Sequence, residues 1–384
     1  MFKVMWQFFL LGLYSFGGPA AHIGYFQREF VQNKKWLTDQ DFTQAVALCQ
    51  FLPGPASSQL GMFIGFKKAG YLGALAAFVG FTFPSFLLLT FLAVGNQQYN
   101  DVAIIDTVIQ AAKLLAVVVV ADAMWGMVKK NITSKLTVAV AVATAISVFI
   151  TSGLLGQIVP ILLAACLGFV ISSRKQKNLD ASSQPMIKPN LGIVSVFALL
   201  LLGLPLLAGQ SELLNLVNVF YQAGSFVFGG GHVVLPLLEP MMEGMVEPDT
   251  FLSAYASAQL VPGPMFTMAS YLGASTIVDS PFIGSLLATI AVFLPGSLLL
   301  FAFLPAWSAL FKHQRLQESI LLVNACVVGL LGSAFIKPVI TTSISSVFDV
   351  IAVIVGFYLL KYRNLPVWGL IILLSGYQFI TQAI

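Results

Sequence analysis

Apolar residues fall in long blocks along this chain, separated by short polar stretches that are mostly basic. Leu136 to Ser172 and Leu191 to Gly209 contain no charged residue. A helix crossing a bilayer needs roughly 20 apolar residues, and the blocks lack the strict alternation of a membrane barrel strand. The pattern predicts apolar segments near 4–30, 42–66, 70–95, 104–128, 134–151 and 155–172. A second set is predicted near 213–238, 250–275, 281–303, 317–336, 346–360 and 365–383, with one connecting segment at 191–209. The expected class is an all-α polytopic membrane protein.

Two of these blocks are broken by the same tripeptide. "QFLPGPASSQL" starts at Gln50, and "QLVPGPMFTMA" starts at Gln259. Aligned on that tripeptide, Phe42, Ala45, Ala47, Gln50, Pro53, Gly54 and Pro55 all recur in 251–264. "YSFGGPAAH" from Tyr14 is answered by "FVFGGGHVV" from Phe226, Gly73 by Gly284 and Pro84 by Pro295. The chain therefore reads as two copies of one unit, 1–172 and 211–384. They are joined by 173–210, a cytoplasmic linker and a connecting transmembrane helix. One connecting span turns the second copy over, an inverted repeat of the kind that recurs in secondary transporters.

Charge bears on how the first two segments of each copy lie. If they enter the membrane and return, with the N-terminus cytoplasmic, all of the 19 Lys and Arg except Lys113 and Lys337 fall inside. The loop "EPMMEGMVEPD" then falls outside. Full crossings would move Arg28, Lys34 and Lys35 outward, against the positive-inside rule. Phe42–Leu52 and Ala56–Phe66 each make about 16 Å of helix, about half of a hydrocarbon core. The tripeptide is therefore expected at the tip of a hairpin near the midplane.

Proline suits the first helical position, where its missing N–H is not needed. Pro19, Pro55 and Pro264 are each expected to open a half-helix, and Gly230, Gly231 and His232 replace the proline in the fourth break. Each start frees backbone N–H groups and the positive end of a helix dipole, which cannot face lipid. Together they describe an anion site without a fixed cation. Gly17, Gly18, Gly54 and Gly263 shape the breaks. Ser57, Ser58 and Thr267 bring hydroxyls to the first turns, and Gln50 and Gln259 bring amides. His22 and His232 sit beside two of the breaks, where they can act as hydrogen-bonding struts or carry a coupling proton. Lys113 is a cation in mid-segment, functional by default and able to attract a dianion. Asp122 is nine residues further on, about 900° around the helix and so on the opposite side, where a structural role is as good a reading.

Only 9% of residues are charged, against about 25% in a soluble domain, and mean hydropathy is +0.91. The net charge of +4 is no nucleic-acid signal. Cys49, Cys166 and Cys326 stand alone in apolar context and are expected to be small buried hydrophobes. No haem pair, cysteine cluster or dinucleotide loop is present, so no cofactor, no metal and no enzyme activity is expected.

"FGGPAAHI", the following Trp36, "LCQFLPGP", and then "FGGGH" and "QLVPGP" resemble the chromate ion transporter family in its long two-domain form. The likeness covers essentially the whole chain and is strongest at 14–65 and 226–273. The family's motif residues fall here on Gly17, Gly18, Pro19, His22, Trp36, Gln50, Pro53, Gly54 and Pro55. In the second copy they fall on Gly229, Gly230, Gly231, His232, Gln259, Pro262, Gly263 and Pro264. The second copy lacks a tryptophan matching Trp36, so the halves are not equal. The resemblance implies a bacterial cytoplasmic-membrane protein that expels chromate, with sulfate as the natural competitor. Exporting a dianion down a negative-inside potential gains about 2.3 kcal/mol per charge per 100 mV, so efflux needs no partner ion. Other expectations carried forward are a sulfate or other anion transporter or channel, and a lipid-phosphate flippase. The oligomeric state stays open, with a homodimer as one option.

Overall fold

The structure is a computed structural model that describes residues 1–16, 18–98, 103–151, 154–175, 188–228, 231–306 and 314–383. The backbone of the described residues forms helices joined by short turns, and no strand occurs among them. The first half holds α1 (Phe2–Tyr14), α2 (Gly18–Phe26, continued as a π-helix over Gln27–Asn33), α3 (Asp39–Phe51) and α4 (Ala56–Gln98). These are followed by α5 (Ala103–Asn131), α6 (Lys135–Ile150) and α7 (Leu154–Lys175). After the connecting α8 (Leu191–Leu207) come α9 (Glu212–Phe226), a 3-10 turn Gly231–Val233 leading into α10 (Val234–Leu238), and α11 (Pro248–Leu260). The chain closes with α12 (Met268–Thr276), α13 (Pro281–Phe303), α14 (Gln314–Ala334), α15 (Val347–Tyr362) and α16 (Val367–Ala383).

The short helices have local causes. Thr38 accepts the N–H of Asp41 and caps α3. Ser134 with Thr137, and Ser346 with Asp349, form reciprocal capping boxes at the matching starts of α6 and α15. Helix α4 leaves helical geometry and folds back at Ala69 and Gly70, where Gly70 has φ of 62°. It is thus two arms, 56–68 and 71–98, matching α12 and α13. The arms lie backbone to backbone. A Cβ on Gly73 would come 2.2 Å from the Gly65 carbonyl oxygen, and one on Gly284 2.2 Å from that of Gly273. Two glycines per hairpin let the arms touch at these crossings.

Five stretches among the described residues are long and apolar enough to cross a membrane, and α8 is the least covered of them. Leu199, Leu202 and Leu206 on α8 are exposed, as are Ile351, Ile354 and Ile372 on α15 and α16. Apolar faces of this extent suit lipid rather than water. Gly54, Pro55, Pro262, Gly263 and Pro264 of the two Pro-Gly-Pro breaks are buried instead. Cys49 and Cys326 are buried as expected. Cys166 is not. It lies on an exposed face of α7, because the all-apolar sequence around it does not distinguish a lipid-facing position from a core one.

Each half reaches across to the other. Helix α1 packs on α4 and α9 on α13, while α14 packs mainly against α6 and α7 and α5 against α15 and α16. The long fourth span of each half is therefore clasped by the last two helices of its counterpart. Lys361 on α15 pairs with Asp122 on α5, which gives Asp122 the structural role and ties the halves together.

Candidate functional site

The four helix interruptions meet. Residues 53–55 link α3 to α4, and residues 262–264 precede a 3-10 turn over Met265–Thr267. At the first tip the Gly54 N–H donates to the Val227 carbonyl at 2.7 Å. At the second, the Gly263 N–H donates to the Ser15 carbonyl at 3.0 Å. Ser15 and Val227 end α1 and α9 at matching repeat positions, so each tip is bonded to the break in the opposite half. Gly54 and Gly263 have φ of 112° and 113°, a region that favours glycine.

The tips also fit opposite helices at matching places. A Cβ on Gly54 would lie 2.8 Å from Gly296 Cα, just past Pro295 in α13. One on Gly263 would lie 2.8 Å from Ser85 Oγ, just past Pro84 in α4. Met265 joins two further breaks to the second tip. A Cβ on Gly18, which opens α2, would lie 3.8 Å from its methyl carbon, and one on Gly231 3.0 Å from its sulfur.

Pro19 lies in the first turn of α2. Pro55 and Pro264 stand one place before the helical residues they introduce, as caps rather than first positions. Ser57 and Ser58 are buried, and Ser58 Oγ has no partner. Thr267 is buried, but its hydroxyl already donates to the Pro264 carbonyl, so it can only accept from elsewhere. Gln259 donates to the Met265 sulfur at 3.3 Å, whereas Gln50 is exposed. His22 is fully buried, its ring in a T-shaped contact with Phe81. Its Nε2 donates to the same Ser15 carbonyl at 3.1 Å, leaving Nδ1 without a partner. Gly17, Gly229 and Gly230 lie outside the described residues, as does the side chain of His232.

Lys113 is not brought to the tips. It is 3% exposed, and its Nζ is 2.8 Å from Asp249 in the first turn of α11. The length of α11, about 20 Å at 1.5 Å per residue, separates that pair from Pro262.

Gln59 was invisible in the sequence as a site residue. Fully buried, it donates from Nε2 to the Pro53 carbonyl at 3.0 Å and to the Gly296 carbonyl at 2.9 Å. It thus braces its own tip against the other half. Its Oε1 is left unpartnered. Its place one turn after Pro55 was the available signal. The counterpart, Met268, carries no amide, so the tips are braced unequally.

A cavity of about 880 Å³ opens at the end that carries the acidic loop. Glu239, Glu243, Glu247 and Lys337 line it, with Asn96, Gln157, Thr250 and Ser275 among the neutral residues. Burial raises the Glu239 carboxyl above its ordinary range, and the Glu243 charge raises it further while Lys337 opposes. The other end holds a smaller cavity of about 280 Å³ lined by Asp41, Phe66 and Lys67. Asp41 and Phe66 are the repeat counterparts of Thr250 and Ser275.

A helical chain with apolar outer faces, whose interrupted helices are bonded across its two halves, is an integral membrane protein. The chain belongs to the chromate transporter family, which it matches twice, over residues 2–169 and 214–379. It is 29% identical to an uncharacterized transporter of Methanocaldococcus jannaschii, over 98% of this chain and 93% of that one. It is 27% identical to a chromate transport protein of Cupriavidus metallidurans, over 94% and 88%. A probable chromate transport protein of Synechococcus elongatus is 26% identical over 92% and 88%. No solved structure matches the chain.

Proposed function

We propose that this protein is a secondary transporter that exports a small tetrahedral oxyanion, chromate first and sulfate as competitor, by alternating access around a midplane site. The observation that carries the reading is the reciprocal bonding of Gly54 to Val227 and of Gly263 to Ser15. It gathers broken-helix starts from both halves in one place. Freed N–H groups there favour a dianion, and no fixed cation holds it too tightly to leave. The relatives named as chromate transport proteins direct the choice of substrate.

The halves are read as inverted, with the N-terminus cytoplasmic and the acidic loop outside in a bacterial inner membrane. Helices α3 and α11 have 13 residues each, about 20 Å against a core of about 30 Å, which favours re-entrant hairpins. Unequal cavities at counterpart ends fit one state of a two-state cycle, open outward. In the opposite state the Asp41–Phe66 cavity would widen and the Thr250–Ser275 cavity would close.

The test is chromate uptake into inside-out vesicles under a clamped potential, with sulfate and phosphate competing. Saturable uptake that strengthens when the vesicle lumen is positive is expected. Flux that is linear in concentration, or independent of potential, would replace this reading with a channel or an unrelated activity.

The vestibule adds a pH dependence. Glu239 takes up its proton at higher pH than an ordinary carboxyl, so acidification removes its charge early. Glu243, Glu247 and Lys337 remain beside it. Sulfate is expected to inhibit more strongly from this side as pH falls, with Glu239→Gln removing that step. Identical pH profiles in the two proteins would exclude Glu239 as the cause.

A further inference from the structure

Lys113 and Asp249 form an ion pair of unequal partners. The ammonium is 3% exposed and the carboxylate 64% exposed, at 2.8 Å. They belong to different halves, α5 and α11. The lysine's immediate chain neighbours on α5, Ala111, Ala112, Leu114 and Leu115, are all buried. Asp249 is the second residue of α11, and Pro248 and Thr250 on either side of it both line the large cavity. An ion in that cavity is therefore one residue along the chain from Asp249, although neither Asp249 nor Lys113 is itself among the lining residues.

A buried cation needs a negative partner, since an uncompensated charge in apolar surroundings is costly. The carboxylate meeting that need is 64% exposed, so it can swing toward water with little loss of packing. A tetrahedral dianion brings twice the charge and more acceptor oxygens to the same ammonium.

We propose that Asp249 is a built-in substitute for the substrate. It occupies Lys113 when no oxyanion is present and is displaced by a dianion at this outer station, roughly a helix length from the tips. This rests on the oxyanion reading above. Because the station is not the central site, a dianion leaving the tips would be handed to Lys113 and then expelled into the vestibule as Asp249 returns. Competition by Asp249 lowers the apparent affinity of the station in proportion to the time the lysine is masked, which favours release.

The substitute and a plain structural brace predict opposite signs. Equilibrium binding of radiolabelled chromate and sulfate to the purified full-length protein separates them. Asp249→Asn, by unmasking Lys113, is expected to tighten binding roughly tenfold. Lys113→Gln is expected to weaken it, and the double variant to behave like Lys113→Gln alone. Weaker or unchanged binding in Asp249→Asn would overturn the proposal. The charge swap, Lys113→Asp with Asp249→Lys, guards against a variant that fails to fold. A structural brace is rescued by the swap, whereas a substitute is not, so wild-type binding in the swapped protein would also overturn it. If the folded wild-type protein binds neither anion, the oxyanion reading itself fails. If it binds both and all variants bind alike, only the outer station fails.

Discussion

Gly54→Val and Gly263→Val are each expected to lower oxyanion transport by roughly a hundredfold, the scale at which about 1 Å of misplacement disables a preorganised site. Both glycines have φ near 112°, where a β-branched residue costs about 1–3 kcal/mol. Both also lie against the opposite half, with 2.8 Å from a new Cβ to Gly296 Cα in one case and to Ser85 Oγ in the other. The tip must retreat, and the N–H bonds to Val227 and Ser15 lengthen with it. Insertion should survive, because the apolar spans in α5, α13 and α14 are untouched. The check is vesicle flux normalised to protein in the membrane. Equal losses in the two variants are expected from the reciprocal geometry, and wild-type flux in either would remove that tip from the mechanism.

Gly73→Val and Gly284→Val should act on the fold instead. A Cβ at either position would lie 2.2 Å from a backbone carbonyl oxygen, and no rotamer relieves a clash with backbone. Overpacking usually costs about 1–3 kcal/mol, and here two helix arms must separate, so about 3 kcal/mol or more is expected. Membrane levels should drop severalfold, and thermal unfolding in detergent should shift down. Gly95→Ala is the control, since nothing lies within 4 Å of a Cβ there. A Gly73→Val protein as abundant and heat-stable as the control would mean that the arms can part without loss.

The two kinds of glycine show what is legible along a chain. Gly54 and Gly263 announce themselves by the prolines on either side and by their recurrence. Gly65 and Gly273 do not, because nothing local distinguishes a glycine that admits a neighbouring helix from one that merely occupies an apolar run. Lys113 is similar. Its burial could be read from its block, and its separation from Asp122 from the helical period. The partner Asp249 was out of reach, since it lies in the other half, at the end of a stretch that charge alone had marked as external.

The apolar blocks, their duplication and the places where glycine and proline interrupt them were set by sequence alone, because periodicity, hydropathy and backbone conformation are local properties. Tertiary structure decided which break meets which. The Gly54 N–H finds Val227, Gln59 reaches Gly296, and Lys113 answers Asp249 rather than the tips. Such contacts join residues more than a hundred positions apart, and they exist only once each half has folded around the other.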